Sequence, residues 1–400
     1  MKPGLYMRSA NHLEDAHVRM KEIGVCQEGI DIMASKMRHF IFMARGLDPR
    51  AANILKQEML TVGAEAAMSY HTVSDLTRPT DCLLSGTERQ FDIAVKKLAT
   101  QPFGLSILAS DIECAIKNVF CSEPRNFGPL EIGGRTLVMG ILNMTPDSFS
   151  GDGVSDHKEA IERGIAMQKS GADIIDIGGE STRPDAITPS TEEEMKRVIP
   201  IIEALASQLE IPLSIDSRNP EVVSAAIEAG ASIVNLVGGL RTKDMAKVIS
   251  ETATPVILMH MQGEPGNMQS DPQYQDVMDD IISELRCQTM LALEAGIEPC
   301  NIMVDPGIGF GKTKEHNLEI IHRLEEMKIL GMPVLIGTSR KSFIGKVLDA
   351  EVGERLEGSL ASAVIASLNG ADIVRVHDVK ETIRALKVAD AVQDPYRGYF

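Results

Sequence analysis

From Thr136 onward the chain repeats one unit eight times: a short run rich in Val and Ile that stops at a polar residue, then a stretch with helical periodicity. The runs are 137-LVMGILN, 173-DIIDIGG, 212-PLSID, 232-SIVNLV, 255-PVILMH, 301-NIMVD, 333-PVLIGT and 372-DIVRVH. Apolar runs too short for helices, alternating with helix-length patterns, predict parallel strands covered by helices. Eight such units predict an α/β fold, a closed TIM (β/α)8 barrel, in which the loops at the C-terminal strand ends form the one deep rim.

A barrel of this kind takes roughly 250 residues. The chain has 400, so a smaller domain is expected before the barrel. Residues 1–125 read as a small α/β domain, with helices over 49-PRAANILKQEMLTVG and 87-TERQFDIAVKKLATQ and a strand at 81-DCLLSGT. Pro124, Gly128, Pro129, Gly133 and Gly134 punctuate the stretch that follows, so 126–134 is expected to be a linker and 135–400 the barrel. Within the barrel, Asn219-Pro220 predicts a helix start and Gly230 its stop, Asp156 with Glu159 predicts another start, and a long helix is expected within 272–296.

Composition narrows the function classes. Apolar residues make up 44% of the chain, enough for a large core. The first residues, MKPGLYMRSANHLED, are interrupted by charges, and no run approaches the roughly 18 apolar residues of a spanning helix, so a cytoplasmic protein without a membrane partner is expected. A net charge of −17 argues against nucleic acid as a partner, and an anionic substrate would need locally placed cations. The six cysteines show no CxxC spacing, which predicts reduced, mostly buried thiols with neither disulfides nor a zinc site.

The polar residues at strand ends are Asn143, Glu180, Asp216, Asn235, His260, Asp305, the trio Ser339-Arg340-Lys341, Arg375 and His377. Asp216, Asn235, Asp305 and Lys341 should project toward the barrel axis from strands 3, 4, 6 and 7. Carboxylates, an amide and an ammonium around one cavity suit a flat, amide-rich heterocycle such as a pterin, whose ring NH and amino donors match a carboxylate. The alternative is a layer of structural hydrogen bonds plugging the barrel. Arg183, Arg375 and His377, with Asn143, form a second group: arginine forks match phosphate oxygens, and an amide oxygen can ligate Mg²⁺ bridging a pyrophosphate. The segment 305-DPGIGFGKT lacks phosphate-loop spacing, and its glycines read as permitting a tight turn and close ligand approach. His260 receives no catalytic role, and Glu180 either touches substrate or orients the 178-GGESTRP loop.

The motifs 140-GILNMTPDSFS, 178-GGESTRP, 214-SIDS, 305-DPGIGFGK, 339-SRKS and 375-RVHDV together resemble dihydropteroate synthase, the pterin-binding enzyme family of folate biosynthesis, over residues of about 130–400. The resemblance implies condensation of 6-hydroxymethyl-7,8-dihydropterin diphosphate with 4-aminobenzoate to give 7,8-dihydropteroate and pyrophosphate, a Mg²⁺ cofactor, a homodimer and a sulfonamide target. It implies pterin binding by Asp216, Asn235, Asp305 and Lys341, with Asp216, Asp305 and Lys341 as the catalytic set. It implies diphosphate binding by Asn143, Arg183, Arg375 and His377, with Asn143 on the metal, and an aminobenzoate region of Phe149, Thr182, Pro184, Phe310 and Ser339. Leu236 departs from the acidic residue that the family usually carries there. The first 125 residues resemble neither pyrophosphokinase nor aldolase domains, and a docking or oligomerisation role is favoured for them. A methyltetrahydrofolate corrinoid methyltransferase and a non-catalytic pterin-binding protein are the competing readings.

Overall fold

The computed structural model describes residues 13–119, 124–144, 154–180, 189–263 and 266–393. The chain divides into two compact units, Met1–Cys121 and Ser122–Phe400.

In the first unit an antiparallel sheet of order β1-β3-β2 is built from β1 (His39–Leu47), β2 (Glu65–Met68) and β3 (Thr80–Thr87). The two expected helices form at Pro49–Thr61 and Glu88–Leu98. Asp48 caps the first by accepting from the Arg50 amide, and Thr87 with Gln90 makes a capping box on the second. Leu55, Met59, Leu84, Phe91 and Leu98 are fully buried between sheet and helices, whereas Ile41 and Met43 on β1 are exposed.

The second unit begins with a hairpin of β4 (Arg125–Phe127) and β5 (Leu130–Ile132), in the stretch expected to be a linker. The eight runs then form β6 (Leu137–Asn143), β7 (Ile174–Gly178), β8 (Leu213–Asp216), β9 (Ile233–Leu236), β10 (Val256–Met259), β11 (Ile302–Asp305), β12 (Leu335–Ile336) and β13 (Ile373–Val376). They make one parallel sheet of order β11-β10-β9-β8-β7-β6-β13-β12, and a parallel bridge between Val304 and Val334 closes it. The expected barrel is present.

Two-residue alternation along each strand sorts side chains between two cores. Outward residues such as Val138, Ile175, Ile215, Val234 and Leu258 pack against the helices. Inward residues Met139, Ile174, Ile233, Ile257, Met303 and Ile373 fill the barrel, and Phe127, Leu130 and Ile132 of the hairpin join the same cluster. The hairpin therefore completes the inner core, leaving the upper barrel to polar residues.

The helix Pro220–Glu228 starts at the Asn219 cap, as its sequence predicts. The long helix is Val277–Glu294, capped by Asp276. The helix after β6 begins at Val154, so Asp156 lies inside it instead of starting it. Five described cysteines are free, and only Cys82 is buried; Cys26, Cys114, Cys287 and Cys300 are exposed, contrary to the expectation of mostly buried thiols, because they fall on outward positions of helices and turns. Among the described residues no helix is long and apolar enough to cross a membrane.

Candidate active site

Above the apolar plug, inward positions change from Ile and Met to charged residues. Asp176 on β7 is fully buried, Asn235 on β9 is 3% exposed and Asp305 on β11 is 5% exposed. The register sets Asp216 level with Asn235 and with Gly178, and puts Asp176 opposite Ser214, two residues before Asp216 on β8. Arg375, two residues beyond the inward Ile373 on β13, reaches across the barrel: its Nε donates to Asp176 Oδ2 at 2.5 Å and its Nη2 to Asp216 Oδ2 at 2.7 Å. Asn235 Nδ2 donates to the same Asp176 oxygen at 3.0 Å. Asp176 is thus a central member of the site, although motif reading misses it. Its signal was an acid at an inward position of an otherwise apolar buried strand.

One guanidinium is shared between two carboxylates. Burial, opposed by Arg375 but reinforced by the neighbouring Asp176, holds the Asp216 carboxyl well above the usual range. Burial also raises Asp305 to about 6, against the Gly307 amide, which donates to its Oδ1 at 2.7 Å, and the charge of Lys341.

Lys341 stands at the entrance of the helix Ser342–Leu348, with its Nζ 4.3 Å from the centroid of the Phe310 ring, a cation–π contact. Burial and the nearby Arg375 charge lower it to about 8. Ser339 Oγ accepts from the His377 amide at 3.2 Å and lies 3.1 Å from its Nδ1. With the hydroxyl donating to Nδ1, the imidazole keeps its proton on Nε2. Burial and the charges of Arg375 and Arg340 hold His377 down at about 3, so it is a neutral donor at pH 7.

The glycines of 305-DPGIGFGKT do allow tight turns. Gly307, at φ 69°, would place a Cβ 1.9 Å from the His260 carbonyl oxygen, and Gly311, at φ 62°, would place one 2.3 Å from that of Gln262. Gly309, at φ 83°, lies against the Lys341 side chain. Glu180 pairs with Arg218 at 2.5 Å, and Asn143 ends β6 beside Gly178. His260 is buried between Lys312 and Glu284. Leu236 points outward into the helix-facing core with Val234, 2% exposed, while its neighbour Asn235 points inward. The side chain at position 236 therefore lies on the opposite face of β9 from Asn235. Phe149, Thr182, Arg183 and Pro184 lie outside the described residues.

The structure brings together Asp216, Asn235 and Arg375 around Asp176, and separately Lys341 with Phe310 and Ser339 with His377. Arg375 joins what the sequence separated, since a cation assigned to the anion group is ion-paired to a carboxylate of the heterocycle group. Such a site can hold a donor-rich ring on one side and an anion on the other.

Residues 139–377 match the family described as pterin binding enzyme. The chain is 46% identical to the dihydropteroate synthase of Escherichia coli K12 over 255 residues, 64% of this chain and 90% of that one. It is 41% identical over 363 residues to a probable bifunctional folylpolyglutamate synthase/dihydropteroate synthase of Haloferax volcanii, covering 87% of this chain, a match that reaches into the N-terminal unit. The chain spans only 43% of that relative's length. A dihydropteroate synthase structure from Xanthomonas albilineans with 4-aminobenzoic acid superposes with a TM-score of 0.64 at 42% identity, covering 68% of this chain and 98% of the other.

Proposed function

This chain belongs to the dihydropteroate synthases, pterin-binding transferases, and from that premise we propose that it condenses 6-hydroxymethyl-7,8-dihydropterin diphosphate with 4-aminobenzoate, giving 7,8-dihydropteroate and pyrophosphate. The Arg375–Asp216 pair carries the reading: the bond to be broken joins a pterin methylene to a diphosphate, and this pair sets a carboxylate and a guanidinium 2.7 Å apart.

In this reading Asp216, Asn235, Asp305 and Lys341 hold the pterin, and Arg183, Arg375, His377 and Asn143 hold the diphosphate. Asp216 and Asp305 stabilise positive charge that spreads into the ring as the carbon–oxygen bond lengthens, while Arg375 and the His377 Nε2 proton stabilise the departing anion. Lys341 donates to ring acceptors from above Phe310. The aniline nitrogen of 4-aminobenzoate, placed by Phe149, Thr182, Pro184, Phe310 and Ser339, attacks the exposed methylene and then loses a proton. Much of the acceleration comes from orientation, so no side-chain nucleophile is needed.

Mg²⁺ is the metal this reading calls for. Asn143 Oδ1 and Asp216 Oδ2 each lie 3.6 Å from where a Gly178 Cβ would be, offering hard oxygen donors at the rim. Among the described residues no group of three or more His, Cys, Asp or Glu could hold a metal. That suits an ion held by Asn143 together with substrate phosphates and water. When bound, it supplies charge neutralisation on the leaving pyrophosphate.

The same reading makes the protein a cytosolic enzyme, a sulfonamide target through its aminobenzoate region, and a homodimer. Exposed Val347, Leu348, Ile365 and Leu368 on the helices Ser342–Leu348 and Leu356–Leu368 support the last assignment. The open β1 face, with Ile41 and Met43 exposed, supports a docking or oligomerisation role for residues 1–125.

The test supplies dihydropterin diphosphate, 4-aminobenzoate and Mg²⁺ and follows pyrophosphate and dihydropteroate. Pterin binding without product would instead support a non-catalytic pterin-binding protein, and corrinoid-dependent methyl transfer without pyrophosphate release would overturn the assignment.

A further inference from the structure

Three buried polar atoms in the upper barrel have no hydrogen-bond partner among the described residues: Asp176 Oδ1, Ser214 Oγ and Asn235 Oδ1. All three belong to inward positions, and Asp176 is opposite Ser214 in the register. Leaving such atoms unpaired costs free energy, so a cluster of them signals a site built for something other than stability.

The pattern of what is paired explains what is not. A carboxyl oxygen that faces two nitrogen donors accepts from both. Asp176 Oδ2 accepts from Arg375 Nε and from Asn235 Nδ2. An amide whose nitrogen is directed at a carboxylate has its oxygen at the opposite end, so the unpartnered end of Asn235 is an acceptor, Oδ1. Arg375 is fixed in its plane by the same contact, because two of its nitrogens are directed to two carboxylates on adjacent strands.

We propose that Asp176 is a positioning residue that sets the hydrogen-bond polarity of the pterin pocket, turning the Asn235 carbonyl oxygen toward a ring N–H donor and locking Arg375 against Asp216. The inference rests on the pterin-binding reading of the site. It predicts that Asp176 acts on the pterin through Asn235 without touching it. Asp176→Asn has the same volume but carries donors as well as acceptors, and it no longer dictates which end of Asn235 faces the ligand.

The experiment is a double-mutant cycle read by calorimetric binding of 6-hydroxymethylpterin, a probe without diphosphate or aminobenzoate, to the full-length protein. Asp176→Asn and Asn235→Ala should each weaken binding by about tenfold, the scale of one buried hydrogen bond, and the double variant should bind within about twofold of the weaker single variant. Losses that multiply, or unchanged affinity in Asp176→Asn, would overturn the proposal. If Asp176→Asn does not fold, Asp176→Ser enters the same cycle with the same two outcomes. Wild-type protein that binds no pterin would refute the functional reading itself, a result distinct from a wild type that binds and a cycle that multiplies.

Discussion

Lys312 Nζ lies 2.8 Å from His260 Nδ1, and the two residues are 3% and 2% exposed. With Lys312 Nζ donating, Nδ1 accepts and the imidazole proton sits on Nε2, which faces Glu284 Oε2 at 3.2 Å. The same nitrogen donates to the Phe310 carbonyl at 3.0 Å, and the Phe310 ring lies under Lys341. The loop after β11 is therefore tied from within by a buried lysine that also feels the charge of Asp305.

The first prediction concerns stability against pH. Burial holds Lys312 at about 7, below its ordinary 10.5, despite attraction from Asp305 and Glu284. Between those two values the unfolded chain binds the extra proton, so this group makes stability rise with pH from about 7 to about 10, by up to about 1.4 kcal/mol per pH unit. Lys312→Met should lack that contribution, giving a shallower rise than wild type in urea unfolding at pH 7.5 and 9.5. Parallel slopes would show that the lysine titrates normally.

Position in the alternation decided what could be read from sequence. The eight strands were legible because buried parallel strands are continuous apolar runs, and the strand-end acids because each interrupts or ends one. Asp176 was hidden among Ile174, Ile175 and Ile177, where only the two-residue period marks it as inward. Lys312 was hidden because its partners, His260 and Phe310, come from a neighbouring strand end and its own loop, and spacing carries no record of such a contact. The bridge from Arg375 to Asp176 and Asp216 joins residues 199 and 159 positions apart. No local pattern reports a pairing across a closed barrel.

The second prediction follows from Leu236. Its side chain lies in the outward apolar layer, behind Asn235. Leu236→Asp should leave pterin affinity within about twofold and destabilise the fold by roughly 2–5 kcal/mol, through lost packing and a buried carboxyl without a partner. Urea unfolding alongside pterin titration decides it. A gain in pterin affinity would mean that the acid acts on the ligand after all.

The third prediction separates binding from folding at Lys341. Its ammonium faces the Phe310 ring at the rim, away from the inner apolar cluster, so Lys341→Ala should leave the melting temperature within a few degrees while lowering kcat/KM for the dihydropterin substrate by roughly 10²–10³-fold. Circular dichroism melts and initial rates on the same preparation test this. A large fall in melting temperature with normal activity per folded molecule would make the lysine structural.

The fourth prediction turns on Arg375, whose loss affects both folding and ligand binding. Arg375→Ala strips the guanidinium from Asp176, which is fully buried, and from Asp216. Breaking a buried pair costs on the order of 3–5 kcal/mol. Asp216 already sits above its ordinary 3.8 with the arginine present, and without it the carboxyl rises further. In that window the native variant binds a proton that the unfolded chain releases, so its stability falls as pH rises. The deficit relative to wild type should therefore be larger at pH 8 than at pH 5 in urea unfolding. Pyrophosphate binding should weaken by at least about tenfold, the scale of a lost charge-assisted hydrogen bond, and 4-aminobenzoate binding by much less. Equal deficits at the two pH values would mean that Asp216 is not the group left uncompensated. Equal losses for the two ligands would separate Arg375 from the diphosphate.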